Sequence, residues 1–296
     1  MRPTHSWNTR VQLDPMLWMA EAFSDPAEFW ASGERDFALL VQTLIPPLPQ
    51  QARVLELGCG VGRLIGPALS RGCSAVGIDG SEAALTFATK RYAGFPSVRF
   101  IKSELPAIPA GLGKFDLVLS FATLPHLAPE ALVETLIQIP LLLTARGCAT
   151  LQLYVGDEHT FTASDDFSLR SYNLERLRQA FAFAALEIRS ERKLELPFST
   201  NDNVLNRAPF IFDLFPAAHK QESPQIILDA LISQKPSSHS RETSIDAYRV
   251  LVTKMNQLIA EKDFAAVTKY LAFARDAHPD NEDEWQRLSE VLERLA

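Results

Sequence analysis

The sequence predicts a doubly wound α/β fold: a mostly parallel sheet flanked by crossover helices, with further helices added at both ends. Three observations predict it. Short apolar runs alternate with helical patterns from Arg53 to about Phe215, which is how strands joined by crossover helices read in sequence. The run VLELGCGVGRLIGPAL, residues 54–69, passes from an apolar strand through the alternate glycines Gly58, Gly60 and Gly62 into a helical pattern. A hydrophobic content of 47% over 296 residues is enough for one large core with a small appendage.

Taken in order, residues 1–50 read as helical and aromatic, with Trp7, Trp18, Phe23, Phe29, Trp30 and Phe37 among them. In SDPAEFW, Asp25 can cap a helix, Pro26 suits its first position and Glu28 can bond back to the free amides. IPPLPQQ then stops that helix. RVLELG, SAVGID, VRFIKS, FDLVLSF and CATLQLYV follow as strands, with helices near 61–71, 81–93 and 129–144. After GDEHTFTASDDFSLRS comes an amphipathic helix, NLERLRQAFAFAAL. LEIRSERKLEL and APFIFDLF then read as a last, antiparallel pair, for seven strands in all.

The texture changes near Pro216. PQIILDALISQK gives a short helix, PSSHSRETS is a loop of turn formers, and the remainder is helical. Within it, EKDFAAVTKYLAFARDAHPDN resembles the second half of a tetratricopeptide repeat, with Phe264, Leu271, Ala274 and Pro279 at suitable spacing. A lone repeat has no neighbours against which to bury its faces, so the segment reads as a small helical appendage. The expected organisation is an N-terminal helical lid over 1–50, a core over 51–216, a linker with a short helix over 217–243 and the appendage over 244–296.

Bulk properties narrow the function. A net charge of −7 with no Lys/Arg run disfavours nucleic acid as a partner. No window has the apolar length of a membrane span, and MRPTHSWNTR lacks the apolar stretch of a secretory signal, so no membrane association and a cytoplasmic location are expected. Cys59, Cys73 and Cys148 form no CxxC pair and read as small buried apolar residues, with neither a disulfide framework nor a metal site expected.

Glycine permits φ > 0 and lets a ligand reach the backbone with no Cβ in the way, while the helix that follows offers free amides and a positive dipole end. A turn alone needs one glycine; three imply a polar ligand. A dinucleotide fingerprint wants GxGxxG, but Arg63 stands where its last glycine would fall, leaving GxGxG. Glu56, two residues before the first glycine, suits an ammonium group better than a diphosphate. Asp79, at the end of VGIDGS, can accept both hydroxyls of a ribose, with Ser81 better placed as the cap of the next helix.

These residues resemble the class I S-adenosylmethionine-dependent methyltransferases, enzymes with a seven-stranded Rossmann-like sheet, over roughly residues 53–215. The most specific elements are VLELGCGVGR and VGIDGS. The resemblance implies S-adenosyl-L-methionine as cofactor and S-adenosyl-L-homocysteine as product. It implies that Glu56, Gly58, Gly60 and Gly62 hold the methionine end and that Asp79 holds the ribose. It also implies that Glu104, where the family usually has Asp, meets the adenine amine, and that the Leu105 amide meets the ring. FDLVLSFATLPHL resembles the stretch after the fourth strand, with Pro125 in place of the first of two histidines and His126 remaining.

Methyl transfer is an in-line displacement, so positioning supplies much of the acceleration, and a base is needed only when the nucleophile arrives protonated. His126, Tyr154, Asp157, Glu158 and His159 fall where the family builds its acceptor pocket, and His126, with an imidazole pKa near ~6.5, is the candidate catalytic base. The absence of an (N/D)PPY motif disfavours exocyclic amines of bases and glutamine amides. The expected acceptor is a small molecule methylated at O or N. The rivals are a protein or peptide methyltransferase that recruits its substrate through the C-terminal helices, and a non-catalytic cofactor-binding module. Those helices are also the expected surface for a homo-oligomer or a protein partner. The N-terminal aromatics and the stretch 156–172, with Phe161, Phe167 and Tyr172, are candidate lids.

Overall fold

The computed structural model describes residues 7–16, 25–157, 159–162, 168–194, 207–232, 244–277 and 281–295. Its centre is strand β1 (Arg53–Leu57), paired in parallel with β2 (Ser74–Asp79) and β4 (Phe115–Ser120). β3 (Val98–Lys102) joins β2 and β5 (Leu143–Gly156) joins β4, both in parallel, giving the order β3-β2-β1-β4-β5. Beyond β5 the chain reverses: β9 (Arg207–Pro216) runs antiparallel to β5, and β8 (Leu186–Lys193) antiparallel to β9. The two runs expected to close the sheet as an antiparallel pair do so.

Among the described residues nine strands form where seven are expected. The extra two are a hairpin, β6 (His159–Thr162) and β7 (Ser168–Tyr172), inside the polar stretch 156–172. Its cause is a difference in strand length. β4 stops at Ser120, opposite Leu151, whereas β5 continues to Gly156 and leaves backbone groups on that edge without a ladder partner. β7 fills the gap in parallel, Tyr154 opposite Ser171 and Val155 opposite Tyr172.

Both faces of the sheet are covered, as the near-continuous burial of β1, β2 and β4 requires. Alternation sends Leu55 and Leu57 into a core with Leu132, Leu136 and Ile139 of α5 (Pro129–Leu142) and Leu177 and Phe181 of α6 (Leu174–Phe183). Val54 faces the other way, onto Phe37 and Leu40 of α2 (Pro26–Val41) and Ala68 of α3 (Ile65–Ser70). The short helix expected within 217–243 is α7 (Pro224–Leu231), whose Ile227 and Leu231 are buried in the α5–α6 layer.

The caps follow the sequence. Asp25 accepts from the Ala27 amide at 2.8 Å, and Ser81 accepts from Ala84 at 3.2 Å to start α4 (Glu82–Arg91). Glu28 does not turn back to the free amides of α2: it pairs with Arg35 at 2.7 Å, since Asp25 already serves that end. The other end of α2 is fixed to the sheet by Arg192, which donates to the Leu39 and Leu40 carbonyls at 3.1 and 3.2 Å and to Asp213 at 2.7 Å. Buried Asp213 also accepts from Thr43 and Thr150, so its charge is paired and hydrogen-bonded, as burial demands.

A separate apolar cluster forms where α8 (Ser244–Ala260), α9 (Phe264–Ala277) and α10 (Glu282–Leu295) meet, around Leu251, Met255, Val267, Leu271, Ala274 and Trp285. Leu13 of α1 (Trp7–Leu13) packs against it. The Tyr270 hydroxyl donates to the Asp14 carboxylate, so the N-terminal and C-terminal additions meet. Pro279 of the repeat-like segment lies outside the described residues, as do Trp18 and Phe23. No described helix is long and apolar enough to cross a membrane.

Candidate functional site

All three loop glycines adopt positive φ: +76° at Gly58, +51° at Gly60 and +81° at Gly62. At Gly58 space is limiting as well, because a Cβ there would sit 2.2 Å from the Thr123 side chain. Thr123 follows β4, and its hydroxyl donates to the Gly58 carbonyl at 3.2 Å. The Gly58 and Cys59 amides donate to the Ile78 carbonyl at 2.8 and 3.0 Å. The loop is thereby tied to the ends of both flanking strands.

Asp79 completes this side. One carboxylate oxygen accepts from the Gly60 amide at 2.8 Å and the other from the Ser81 amide at 2.7 Å. Burial raises its pKa above the usual carboxylate value, against the lowering by those two amides. The side chain stays partly exposed, with further lone pairs for a ligand. Glu104 lies alongside Gly80: a Cβ built there would sit in ordinary contact with the Glu104 Cβ at 3.5 Å. Glu104 is exposed, its carbonyl accepts from Ala107 at 2.9 Å, and Leu105 packs against the main core. The ends of β2 and β3 thus bring Asp79, Glu104 and Leu105 to one wall.

Glu56 is the anomaly. It is 3% exposed, and its Oε2 has no hydrogen-bond partner among the described residues. Burial drives its pKa well above the carboxylate range; nearby Arg63 pulls it down and Asp79 pushes it further up. Arg63, buried as well, donates to the Ser32 hydroxyl at 3.0 Å and to the Asp36 carboxylate.

His126 ends a 3-10 turn, Leu124–His126, that begins next to Thr123. Its amide donates to the Thr123 carbonyl at 3.0 Å, and its carbonyl accepts from Arg170 of β7 at 3.0 Å. The imidazole meets the Trp7 ring edge-on, with centroids 5.4 Å apart and planes at 70°. The Thr123 link therefore brings His126 to the same end of the sheet as the glycine loop. Tyr154 is half-buried with the Arg207 guanidinium 4.9 Å from its ring centre, and Asp157 is exposed, its carbonyl accepting from Ser171 at 2.6 Å. Glu158 and Phe167, and the side chains of His159 and Phe161, lie outside the described residues.

Sequence reasoning did not single out Ser32 and Asp36, or Thr123 and Gln152, whose side chain accepts from the Ala122 amide at 2.9 Å. Ser32 and Asp36 carried a legible signal, two polar residues four apart on one helix face beside Gly33. A Cβ at Gly33 would sit 2.3 Å from the Arg63 carbonyl, so that glycine lets α2 lie on the loop. α1 covers the loop from the other side: Asn8 accepts from the Ala83 amide at 2.8 Å, and Val11 packs with Phe29, Val61 and Ala84. No cluster of three or more metal-ligating side chains occurs among the described residues.

The arrangement suits one ligand with a cationic group at Glu56, a diol at Asp79 and a flat ring beside Glu104 and Leu105. Comparison with known proteins bears on the family and the fold. Residues 54–147 match the methyltransferase domain family. YqeM of Bacillus subtilis (strain 168), provisionally named a methyltransferase, is 32% identical over 71 residues, 24% of this chain; the match spans 29% of that protein's length. Among solved structures, the 1,6-didemethyltoxoflavin-N1-methyltransferase of Burkholderia thailandensis, with bound S-adenosylhomocysteine, superposes at a TM-score of 0.52 and 18% identity, covering 72% of this chain and 91% of that one. The [4+2]-cyclase SpnF superposes at 0.51 and 16% identity, covering 63% of this chain and 82% of that one. At these identities the structures establish a shared fold.

Proposed function

We propose that this chain, built around a class I S-adenosylmethionine-dependent methyltransferase domain, transfers a methyl group from S-adenosyl-L-methionine to an oxygen or nitrogen of a small-molecule acceptor. The observation that carries the reading is the buried Glu56 carboxylate with one unpartnered oxygen, set behind three positive-φ glycines and beside an Asp79 tied to the Gly60 amide. A free buried carboxylate oxygen is costly unless a ligand pairs with it, and the ammonium of the cofactor's methionine end is such a partner. Asp79 accepts from the ribose hydroxyls, and Glu104 and the Leu105 amide face the adenine. When bound, the cofactor supplies a methyl on a sulfonium, which an acceptor O or N displaces in line, leaving S-adenosyl-L-homocysteine.

The protein's own share is positional. The Gly58–Thr123 contact fixes the ends of β1 and β4 against each other, so the cofactor loop and the acceptor-side turn hold one spacing. His126, on that turn, takes the proton of a protonated nucleophile. α1, with Trp7 against the imidazole and Val11 on the loop, serves as a lid that keeps water from the reacting centre. The 1–50 helices act as this lid, 51–216 with α7 as the core, and 244–296 as the support on which α1 rests. Small-molecule methylation is one of several activities the shared fold accommodates, as SpnF illustrates, so the acceptor must be read from the site.

Calorimetry with S-adenosylhomocysteine, followed by mass-spectrometric detection of a gain of about 14 Da across a panel of small hydroxy and amino compounds, tests the proposal. Binding with micromolar affinity and one methylated product are expected. No heat with either cofactor form, but saturable NAD binding, would replace the reading by a dehydrogenase. Cofactor binding with methylation of peptides alone would move the acceptor to proteins.

A further inference from the structure

Arg63 stands where a dinucleotide loop carries its last glycine, and this chain uses the side chain instead. Its guanidinium is held at Nη1 and along one face. Ser32 and Asp36 accept from it, and Phe121 lies under it at 5.7 Å from the ring centre. Glu56 shares the face. It follows Val54 by two positions on β1, and Val54 packs with Leu64, Phe37 and Leu40 in one cluster that Phe121 borders.

We propose that Arg63 is the counter-ion that keeps the Glu56 carboxylate charged for the cofactor's ammonium, and that α2 fixes it there through Ser32 and Asp36. The inference rests on the cofactor reading above and deepens it: α2 becomes part of the binding site although it contacts no ligand, and Arg63 is a positioning residue.

The physical need is plain. A carboxylate buried alone takes up a proton, and a neutral acid attracts no ammonium. The groups facing Glu56 are Arg63 and Cys59 from the loop, Asp79 from the end of β2, and Tyr92 from the end of α4, with Asp36 of α2 behind Arg63. Cys59 and Tyr92 are neutral near pH 7, burial holding their protons on; the Tyr92 hydroxyl donates to the Gly62 carbonyl at 2.8 Å. Asp79 pushes in the same direction as burial. Arg63 alone in that set is cationic. Asp36 shares it, but the Asp36 side chain is 25% exposed against 10% for Arg63, so water weakens this competing charge without cancelling it, while the carboxylate still orients the guanidinium.

The test is calorimetric titration of the full chain with S-adenosylhomocysteine from about pH 5.5 to 8.5, with thermal melts as the folding check. In the wild type, affinity should climb with pH as Glu56 ionises. Arg63→Met should move the climb upward by about one pH unit or more, so that affinity at pH 7 falls about tenfold while the alkaline values converge. Arg63→Lys should restore the wild-type midpoint. Asp36→Asn keeps an acceptor and removes the competing charge, so its climb should move to lower pH. Glu56→Gln should bind weakly at every pH. An Arg63→Met curve parallel to wild type would overturn the inference, as would wild-type binding by Glu56→Gln. Should Arg63→Met fail to fold, an unmoved climb in Asp36→Asn overturns it in the same way. No binding by the wild type at any pH would sink the cofactor reading itself.

Discussion

The two halves of the site are built by opposite means. At the ends of β1 and β2, the groups proposed to hold the cofactor's methionine end and ribose lie within residues 56–81 and are fixed mainly by backbone hydrogen bonds and short carboxylate contacts, such as Asp79 to the Gly60 and Ser81 amides. At the ends of β4 and β5 the parts come from distant places: His126 on a 3-10 turn, Arg170 on an added hairpin, Trp7 on α1, with α1 resting on Tyr270. The first half is a local motif. The second is an assembly, and its precision depends on every piece being docked.

That contrast breaks most sharply at Gly58. Gly58→Ala places a Cβ against Thr123 in a left-handed backbone, and should cost about 2–4 kcal/mol of stability and abolish cofactor binding, read by urea unfolding and calorimetry. Retained binding would show that the loop is not the ligand's seat. Asp79→Ala removes the ribose acceptor and leaves the Gly60 and Ser81 amides without their partner. Cofactor affinity should fall about 100-fold, the worth of two charge-assisted hydrogen bonds.

On the assembled side, His126→Asn should lower turnover by about 100-fold with cofactor affinity nearly intact, and remove the acidic limb of the pH–rate profile. An unchanged profile would leave positioning as the whole mechanism.

Glu56→Gln sharpens the comparison through stability. The unfolded chain ionises Glu56 near pH ~4.3, while in the folded chain burial holds the proton to higher pH. The folded state binds the extra proton, so stability falls as pH rises from ~4.3 to the folded pKa and levels off above it. Glu56→Gln should therefore melt above the ligand-free wild type at pH 8, with the gap closing as pH falls toward 4. A gap independent of pH would mean that Glu56 is charged and satisfied without ligand. The smallest effect is expected at Tyr270→Phe, which removes the bond to Asp14 at about 1 kcal/mol. Protease cleavage between α1 and α2 should quicken and the acceptor KM rise a few-fold, with cofactor affinity unchanged.

The same division explains what the sequence made legible. The strand alternation, the caps at Asp25 and Ser81 and the glycine loop are short-range patterns, and each appears where its residues placed it. The β6–β7 hairpin did not announce itself, because it exists to pair the overhang of β5 beyond Ser120, a length mismatch visible only once β4 and β5 lie side by side. In sequence Arg63 is only a departure from a fingerprint; its partners Ser32 and Asp36 come from a helix 31 and 27 positions back along the chain, too far for a local pattern to join them. Glu28 shows the reverse error, a local capping pattern overridden by an ion pair with Arg35.

The contact between Asp14 and Tyr270 joins residues 256 positions apart. A ribosome adding roughly 5–20 residues per second takes on the order of 10–50 s to cover that distance. Through that interval α1 has no surface on which to seat Leu13, while the glycine loop and its sheet can already form. In a nascent chain α1 can thus rest on the loop only through Asn8 and Val11, and α9 adds a second anchor that the order of synthesis delivers late.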